Sequence, residues 1–323
     1  VEKTKIGVIG VGHLGRYHAL NYAQIVDADL IGVFDADPER AKLVADEGHC
    51  EVFESIEGLL DAVYAVSVAV PTDHHYDIVK SVFQKGIHCL VEKPITATVE
   101  EADQLVQLAN EKGLVFHVGQ IERFNPAIRA IGSMDLHPQF IEAHRLAPFN
   151  PRGTEVAVIL DLMIHDIDVV LSLVKSPVAH LDASGVTVVS ESTDIANARI
   201  RFENGCVANL TASRISQKKM RKMRLFQKDT YISIDFDAKM SEIYQLESEI
   251  SEKADMVVGE IGAEGRKRRI IYSKPQKDED NALKTELETF IHAVQGKPES
   301  GVSGAEGRDA LAVAEQILKL VED

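Results

Sequence analysis

Short runs of consecutive apolar residues alternate with amphipathic stretches along the first 120 residues. Lys5–Ile9, Leu30–Phe34, Ala62–Val70, Ile87–Val91 and Leu114–Val118 read as strands. Ala62–Val70 is almost wholly apolar, as expected of a strand covered on both faces. Between them, His13–Gln24 and Asp77–Gln84 read as helices. Asp37-Pro38 marks a helix start, with Asp37 as N-cap and Pro38 at the first helical position, where its missing N–H is harmless. Thr98-Val-Glu-Glu101 has the form of a capping box, and the helix it opens should stop at Gly113. Strand–helix alternation with apolar strands predicts an α/β domain, a doubly wound parallel sheet, over residues 1–120.

The rhythm changes over residues 121–323. Ile159–Val174 reads as a helix. Ala196–Phe202 and Cys206–Ser213 alternate apolar and polar residues around Asn204-Gly205, a hairpin turn signal. Tyr231–Phe236 alternates again, with Ile232, Ile234 and Phe236 on one face. Residues 242–277 are charge-rich and weakly patterned, which predicts long surface loops or edge strands. Leu283–Val294 and Arg308–Val321 are amphipathic helices. This half predicts an α+β domain on an open, mostly antiparallel sheet, with the C-terminal helices able to return to the first domain.

Gly10-Val-Gly12-His13-Leu14-Gly15 follows the first strand and opens the first helix. The first glycine permits the turn, the second lets the backbone approach a pyrophosphate, and the third lets helix pack on strand. The helix N-terminus at His13 and Leu14 supplies N–H groups. Asp35 ends the second strand, twenty residues beyond Gly15, where a carboxylate accepts ribose hydroxyls. It would repel a 2′-phosphate, so NAD is favoured over NADP, with Arg40 the one nearby residue that keeps NADP open.

Two further signals carry chemistry. Lys93, in Glu92-Lys93-Pro94, ends a strand at the edge where doubly wound sheets bind ligands. Asp161 and His165, spaced i, i+4, share one helix face, and a carboxylate beside an imidazole makes a general base. Which of Lys93 and His165 takes the proton is not readable from spacing. No third ligand is spaced to make Asp161 and His165 a metal site.

Composition narrows the class. There are 35 Lys+Arg against 51 Asp+Glu, a formal net charge of −16, which with no recognisable binding motif argues against nucleic acid as partner. Basic clusters at 218–224 and 266–269 read as solvated faces. No apolar run is long enough to span a membrane, and Cys50, Cys89 and Cys206 form neither a disulfide framework nor a metal motif, so a cytoplasmic setting is expected.

Gly10-x-Gly12-x-x-Gly15, Pro71-Thr-Asp-His-His75, Glu92-Lys93-Pro94 and Asp161-x-x-x-His165 occur in the order of the glucose–fructose oxidoreductase/inositol dehydrogenase (Gfo/Idh/MocA) family, which the chain resembles along essentially its whole length. The resemblance implies a Rossmann domain and an α+β domain whose sheet mediates assembly into homodimers or homotetramers. It implies that Lys93 lies beside the nicotinamide, with Asp161 and His165 as the polar pair facing it. The cofactor set then extends to Pro71, Thr72, His75, Glu92, Lys93 and Gln120. The glycine-rich lead-in common before Asp-x-x-x-His is replaced here by Val156-Ala-Val-Ile-Leu160. Glu122-Arg-Phe-Asn-Pro126 and Arg145-Leu-Ala-Pro-Phe149 look like the nucleotide-sugar branch, similar to enzymes oxidising the 3-hydroxyl of UDP-N-acetylglucosamine. A UDP-sugar diphosphate needs cationic donors, and Arg123, Arg145 and Arg152, with Asn125 and His165, are the expected substrate residues. Alternatives are a dehydrogenase of a free sugar or cyclitol, or a non-catalytic NAD- or sugar-binding regulator of the same fold.

Overall fold

The computed structural model describes residues 3–150, 154, 156–247, 256–262, 267–275, 281–298 and 301–322. Two compact units emerge. The first holds Val1–Phe124 and Asp280–Ala312, the second Asn125–Glu279 and Val313–Asp323.

In the first unit, β1 (Thr4–Ile9), α1 (His13–Tyr22), β2 (Ala28–Phe34), α2 (Pro38–Gly48), β3 (Glu51–Val52), α3 (Ile56–Leu60), β4 (Ala65–Val68), α4 (His75–Gln84), β5 (His88–Glu92), α5 (Val99–Lys112) and β6 (Phe116–Gly119) follow in turn. The strands pair in the order β3-β2-β1-β4-β5-β6, all parallel, which is the doubly wound Rossmann order. Local chemistry explains the boundaries. The Asp37 side chain accepts from the Glu39 and Arg40 N–H groups, Thr98 and Glu101 complete their capping box, and Gly113 ends α5 in the left-handed conformation. Only Ala65–Val68 of the longer apolar run is strand; Val63 before it is buried, while Tyr64 is 64% exposed. Ile6, Val8, Tyr22, Val33 and Leu90 form the core with Leu287, Phe290 and Ile291.

The second unit begins with α6 (Pro126–Arg129) and β7 (Phe140–Leu146). A π-helical turn, Ile159–Met163, leads into α7 (Ile164–Val174). Then come β8 (Val178–Val186), β9 (Ile195–Phe202), β10 (Val207–Ser213), β11 (Met220–Gln227), β12 (Thr230–Asp235), β13 (Met240–Glu247), β14 (Met256–Ile261) and β15 (Arg268–Ser273). The chain closes with α8 (Ala282–Val294) and α9 (Gly304–Glu322). The sheet order is β14-β15-β13-β12-β11-β7-β10-β9-β8, antiparallel throughout except for the β7–β10 pair.

Several elements depart from the sequence expectation. The weakly patterned 242–277 stretch supplies β13 and β15 inside the sheet as well as the edge strand β14. The basic run at 218–224 is largely β11. Met223 and Leu225 point inward, while Lys222 and Arg224 point out and pair with Asp235 and Glu142. The expected helix from Ile159 starts with a π turn, in which the Ile164 N–H reaches back five residues to the Ile159 carbonyl. No helix among the described residues is long and apolar enough to cross a membrane.

Candidate active site

The first unit presents its candidate residues where ligands bind in such sheets, at the carboxyl ends of the parallel strands. Gly10 follows β1 with φ +82, and a Cβ there would meet the Ala69 carbonyl oxygen at 2.8 Å. At Gly15 an added Cβ would lie 1.8 Å from the Gly10 carbonyl oxygen, so α1 approaches the loop as only glycine allows. At Gly12 nothing lies within 4 Å of an added Cβ, which leaves open space over the loop. Gly10 thus makes the turn and Gly15 the close approach of α1, while Gly12 lies beside open space.

Asp35, at the end of β2, accepts the Val11 N–H at 2.7 Å and the Asp37 N–H at 2.9 Å. Its carboxylate holds the glycine-rich loop and retains lone-pair capacity for a ribose hydroxyl. Arg40 lies 3.3 Å from Asp35 and 3.3 Å from Asp37. Pro71 and Thr72 form a short turn beyond β4. Glu92 ends β5 and half-buried Lys93 follows it. Gln120 follows β6 and is 1% exposed, yet neither its amide nitrogen nor its oxygen meets a partner among the described residues. A buried amide without partners is costly, so this one is suited to a polar ligand. The free space at Gly12, the Asp35 carboxylate and the Gln120 amide together fit a dinucleotide.

His75, expected among the cofactor contacts, is instead interior. Its ring nitrogens lie 2.9 Å from the Pro94 carbonyl oxygen and 3.0 Å from that of Val70. Burial pushes its pKa below the ordinary imidazole value, against the opposing pull of the two carbonyls. It braces the Glu92-Lys93-Pro94 turn. Sequence reasoning missed a second brace, His18 in α1, which lies 2.9 Å from Glu92 Oε1 and 2.8 Å from Ser67 Oγ. A histidine on the apolar side of α1, three residues past Gly15, was the available signal.

The second unit carries Asp161 in the π turn and His165 in the first turn of α7, both half-buried. π turns in helices occur often at functional positions. Two of the expected substrate residues serve this unit's architecture instead. Arg145 is 2% exposed and grips Asp166 through Nε at 3.0 Å and Nη2 at 2.8 Å, with its guanidinium over the Phe236 ring. That bidentate pair ties β7 to α7, one residue past His165. Asn125 caps α6 through the Ala127 N–H and donates to the Phe236 carbonyl. Arg145 was read as a ligand because a guanidinium suits a diphosphate, and Asn125 because it lies in the Glu122-Arg-Phe-Asn-Pro126 motif, but burial commits both elsewhere. Arg123, in the first unit, pairs with Glu306 at 2.8 Å. Arg152 lies outside the described residues.

A further hub organises the lead-in to the π turn. Asp194 accepts the N–H groups of Val188, Val189 and Ser190 and the Ser190 hydroxyl. Burial alone would raise its pKa, but those hydrogen bonds outweigh it and hold the carboxyl well below the usual carboxylate range. Arg214 hydrogen-bonds the Val156 carbonyl, and Thr193 accepts the Val158 N–H. Among the described residues no cluster of three or more His, Cys, Asp or Glu side chains is placed to hold a metal ion.

Comparison with known proteins agrees with this architecture. Residues 4–120 match the GFO_IDH_MocA model, described as an oxidoreductase family with an NAD-binding Rossmann fold, and residues 138–232 match the GFO/IDH/MocA C-terminal domain. A UDP-N-acetylglucosamine 3-dehydrogenase from Acidithiobacillus ferrooxidans is 41% identical over 319 residues, covering 98% of this chain and 97% of the relative. Its solved structure superposes with a TM-score of 0.89 at 39% identity, covering 100% of this chain and 99% of the other. An inositol 2-dehydrogenase from Rhizobium meliloti is 24% identical over 99% of this chain and 97% of its own length. A solved structure from Sinorhizobium meliloti shares the fold, with a TM-score of 0.80 at 20% identity, covering 99% of this chain and 98% of that one. With both halves of the chain matched and the glycine loop built for a dinucleotide, the chain belongs to the Gfo/Idh/MocA family of NAD-binding oxidoreductases.

Proposed function

We propose that this protein is an NAD-dependent dehydrogenase that oxidises the 3-hydroxyl of a nucleotide sugar of the UDP-N-acetylglucosamine type. The observation that carries the substrate class is similarity at 41% identity, along nearly the whole of both chains, to an enzyme named for that reaction. The dinucleotide, when bound, supplies the hydride acceptor. Gly12 leaves room for its pyrophosphate beside the N-terminus of α1, Asp35 accepts its ribose hydroxyls, and Gln120 offers a buried amide. His165 takes the proton of the substrate hydroxyl, with Asp161 favouring the charged imidazole that results. Lys93 hydrogen-bonds the reacting oxygen and stabilises its developing negative charge.

Charge near Asp35 supports NAD over NADP. Asp35 and Asp37 place two carboxylates against the single guanidinium of Arg40, a local net charge of −1 that opposes a 2′-phosphate. Fluorescence titration should show tighter NAD than NADP binding, with a narrower gap in Asp35→Ala; equal or tighter NADP binding by the wild type refutes it. For the substrate, NADH absorbance is followed with UDP-N-acetylglucosamine, free N-acetylglucosamine, glucose and inositols. Turnover confined to the free sugars or cyclitols overturns the nucleotide-sugar reading.

The assembly proposed is a homodimer or homotetramer through the outward face of the nine-stranded sheet. Phe140, Phe226, Tyr231, Tyr244 and Tyr272 form a continuous row there across five adjacent strands, their successive ring centroids 5.0–5.9 Å apart. Light scattering should give a multiple of the chain mass; a monomer at micromolar concentration refutes the proposal.

A further inference from the structure

Beneath the carboxyl edge of the parallel sheet, a buried chain of polar groups ends at Glu92, the residue before Lys93. Tyr22, Ser67 and His18 have no exposed surface. The Tyr22 hydroxyl donates to Ser67 Oγ at 3.4 Å, Ser67 Oγ lies 2.8 Å from His18 Nδ1, and His18 Nε2 lies 2.9 Å from Glu92 Oε1. Only one set of donors satisfies every contact with a neutral ring. A carboxylate has no proton to give, so Nε2–H donates to Glu92. Nδ1 must then accept from the Ser67 hydroxyl, which leaves the Ser67 oxygen to accept from Tyr22.

This chain is a dead end for protons. Burial pushes the Tyr22 pKa far above the ordinary phenol value, with the Ser67 bond opposing, so Tyr22 stays a donor. No member of the chain beyond Glu92 reaches water. The network orients Glu92 and conducts nothing. An independent feature makes room for that orientation: a Cβ at Gly119 on the neighbouring strand would lie 2.9 Å from Glu92 Oε1 and 3.1 Å from Oε2. Glycine there lets the carboxylate lie against β6.

We infer that His18 is a positioning residue of the dehydrogenase. Held as the Nε2–H tautomer, with Ser67 donating to its other nitrogen, it fixes the Glu92 carboxylate and, with it, the strand end from which Lys93 departs. The inference rests on the reading of Lys93 as the active-site lysine, and on nothing about the substrate.

Side-chain nitrogen NMR of the cofactor-free protein reads the tautomer directly, at a pH where the ring is neutral. His18 should carry its proton on Nε2, and Ser67→Ala, which leaves the Glu92 carboxylate in place, should keep it there. A wild-type Nδ1–H tautomer overturns the inference. Turnover provides the second readout. In His18→Gln the amide nitrogen can replace Nε2 as donor to Glu92, whereas His18→Asn reaches only the Ser67 side. Loss of one hydrogen bond to a charged group should lower turnover per folded site about tenfold or more in His18→Asn, with His18→Gln within a few-fold of wild type. Equal losses in both variants, tracking the thermal midpoint, mean bulk packing and overturn it. Lys93→Met separates the two ideas: unchanged turnover in that variant removes the active-site reading, while the tautomer measurement stands by itself.

Discussion

Gly12 and Gly15 belong to one motif but should fail differently when each is given a methyl group. At Gly15 the new carbon would lie 1.8 Å from the Gly10 carbonyl oxygen. Carbon and carbonyl oxygen in close contact sit about 3.3 Å apart, so loop and helix must separate by roughly 1.5 Å. Overpacking of this kind costs about 1–3 kcal/mol, which lowers the thermal midpoint by several degrees even without cofactor. At Gly12 the added carbon meets no protein atom within 4 Å, and φ is −63, on the side alanine accepts, with ψ at −152 a little beyond the extended region. Gly12→Ala should therefore leave the cofactor-free protein within about 1 kcal/mol of wild type. The open space is the space a pyrophosphate would fill, so the methyl should displace it from the α1 N–H groups. Losing one such charge-assisted bond is worth about 1.5–3 kcal/mol, roughly a ten- to hundredfold weaker NAD complex. Thermal melts without NAD and fluorescence titration with NADH test both halves. Wild-type NAD affinity in Gly12→Ala, or a midpoint loss matching that of Gly15→Ala, would refute the assignment of separate roles.

Three further expectations follow from the second unit and the proposed chemistry. Lys93→Met and His165→Ala should each cut turnover at least about a hundredfold with NAD affinity little changed, and Asp161→Asn should be costly in turnover and mild in binding; steady-state kinetics on folded protein decides. Arg145→Met should destabilise by about 3–5 kcal/mol because Asp166 is left buried, while Arg145→Met with Asp166→Leu should recover much of that loss in denaturant melts. Asp194 has a depressed pKa, so its contribution is complete above the unfolded value near 3.9 and is lost as pH falls through the folded value. Asp194→Asn should thus be less stable at neutral pH, with the gap shrinking below about pH 4; a gap independent of pH would refute this.

What could be read in advance was whatever local chemistry decides. The turn at Gly10, the approach of Gly15 to it, the Asp37 cap and the Thr98–Glu101 box involve neighbours within a few residues, so they were legible without a structure. The misreadings share a longer range. β7 escaped notice because Arg145 occupies an inward position where the alternating pattern calls for an apolar side chain. Its partner, Asp166, is 21 residues away, and the Asn125 side chain is claimed by the Phe236 carbonyl 111 residues on. Residue type at Arg145 and the motif around Asn125 suggested ligands, and only the fold shows that their hydrogen bonds are committed. His18 is the converse case: its place on the apolar side of α1 signals burial, but its carboxylate partner is 74 residues away.

The π turn before α7 restricts how this region can change over evolutionary time. Its five-residue hydrogen bond from Ile164 to Ile159 accommodates one more residue than an α turn would. Deleting any single residue from Ile159–Met163 would let the turn relax to α geometry. Because the wide turn absorbs the extra residue, the segments on either side would keep nearly the same direction, and only the wide turn itself would be lost. A related chain one residue shorter here would keep its helix but lose the wide turn that carries Asp161, so keeping that turn ties the segment to its present length.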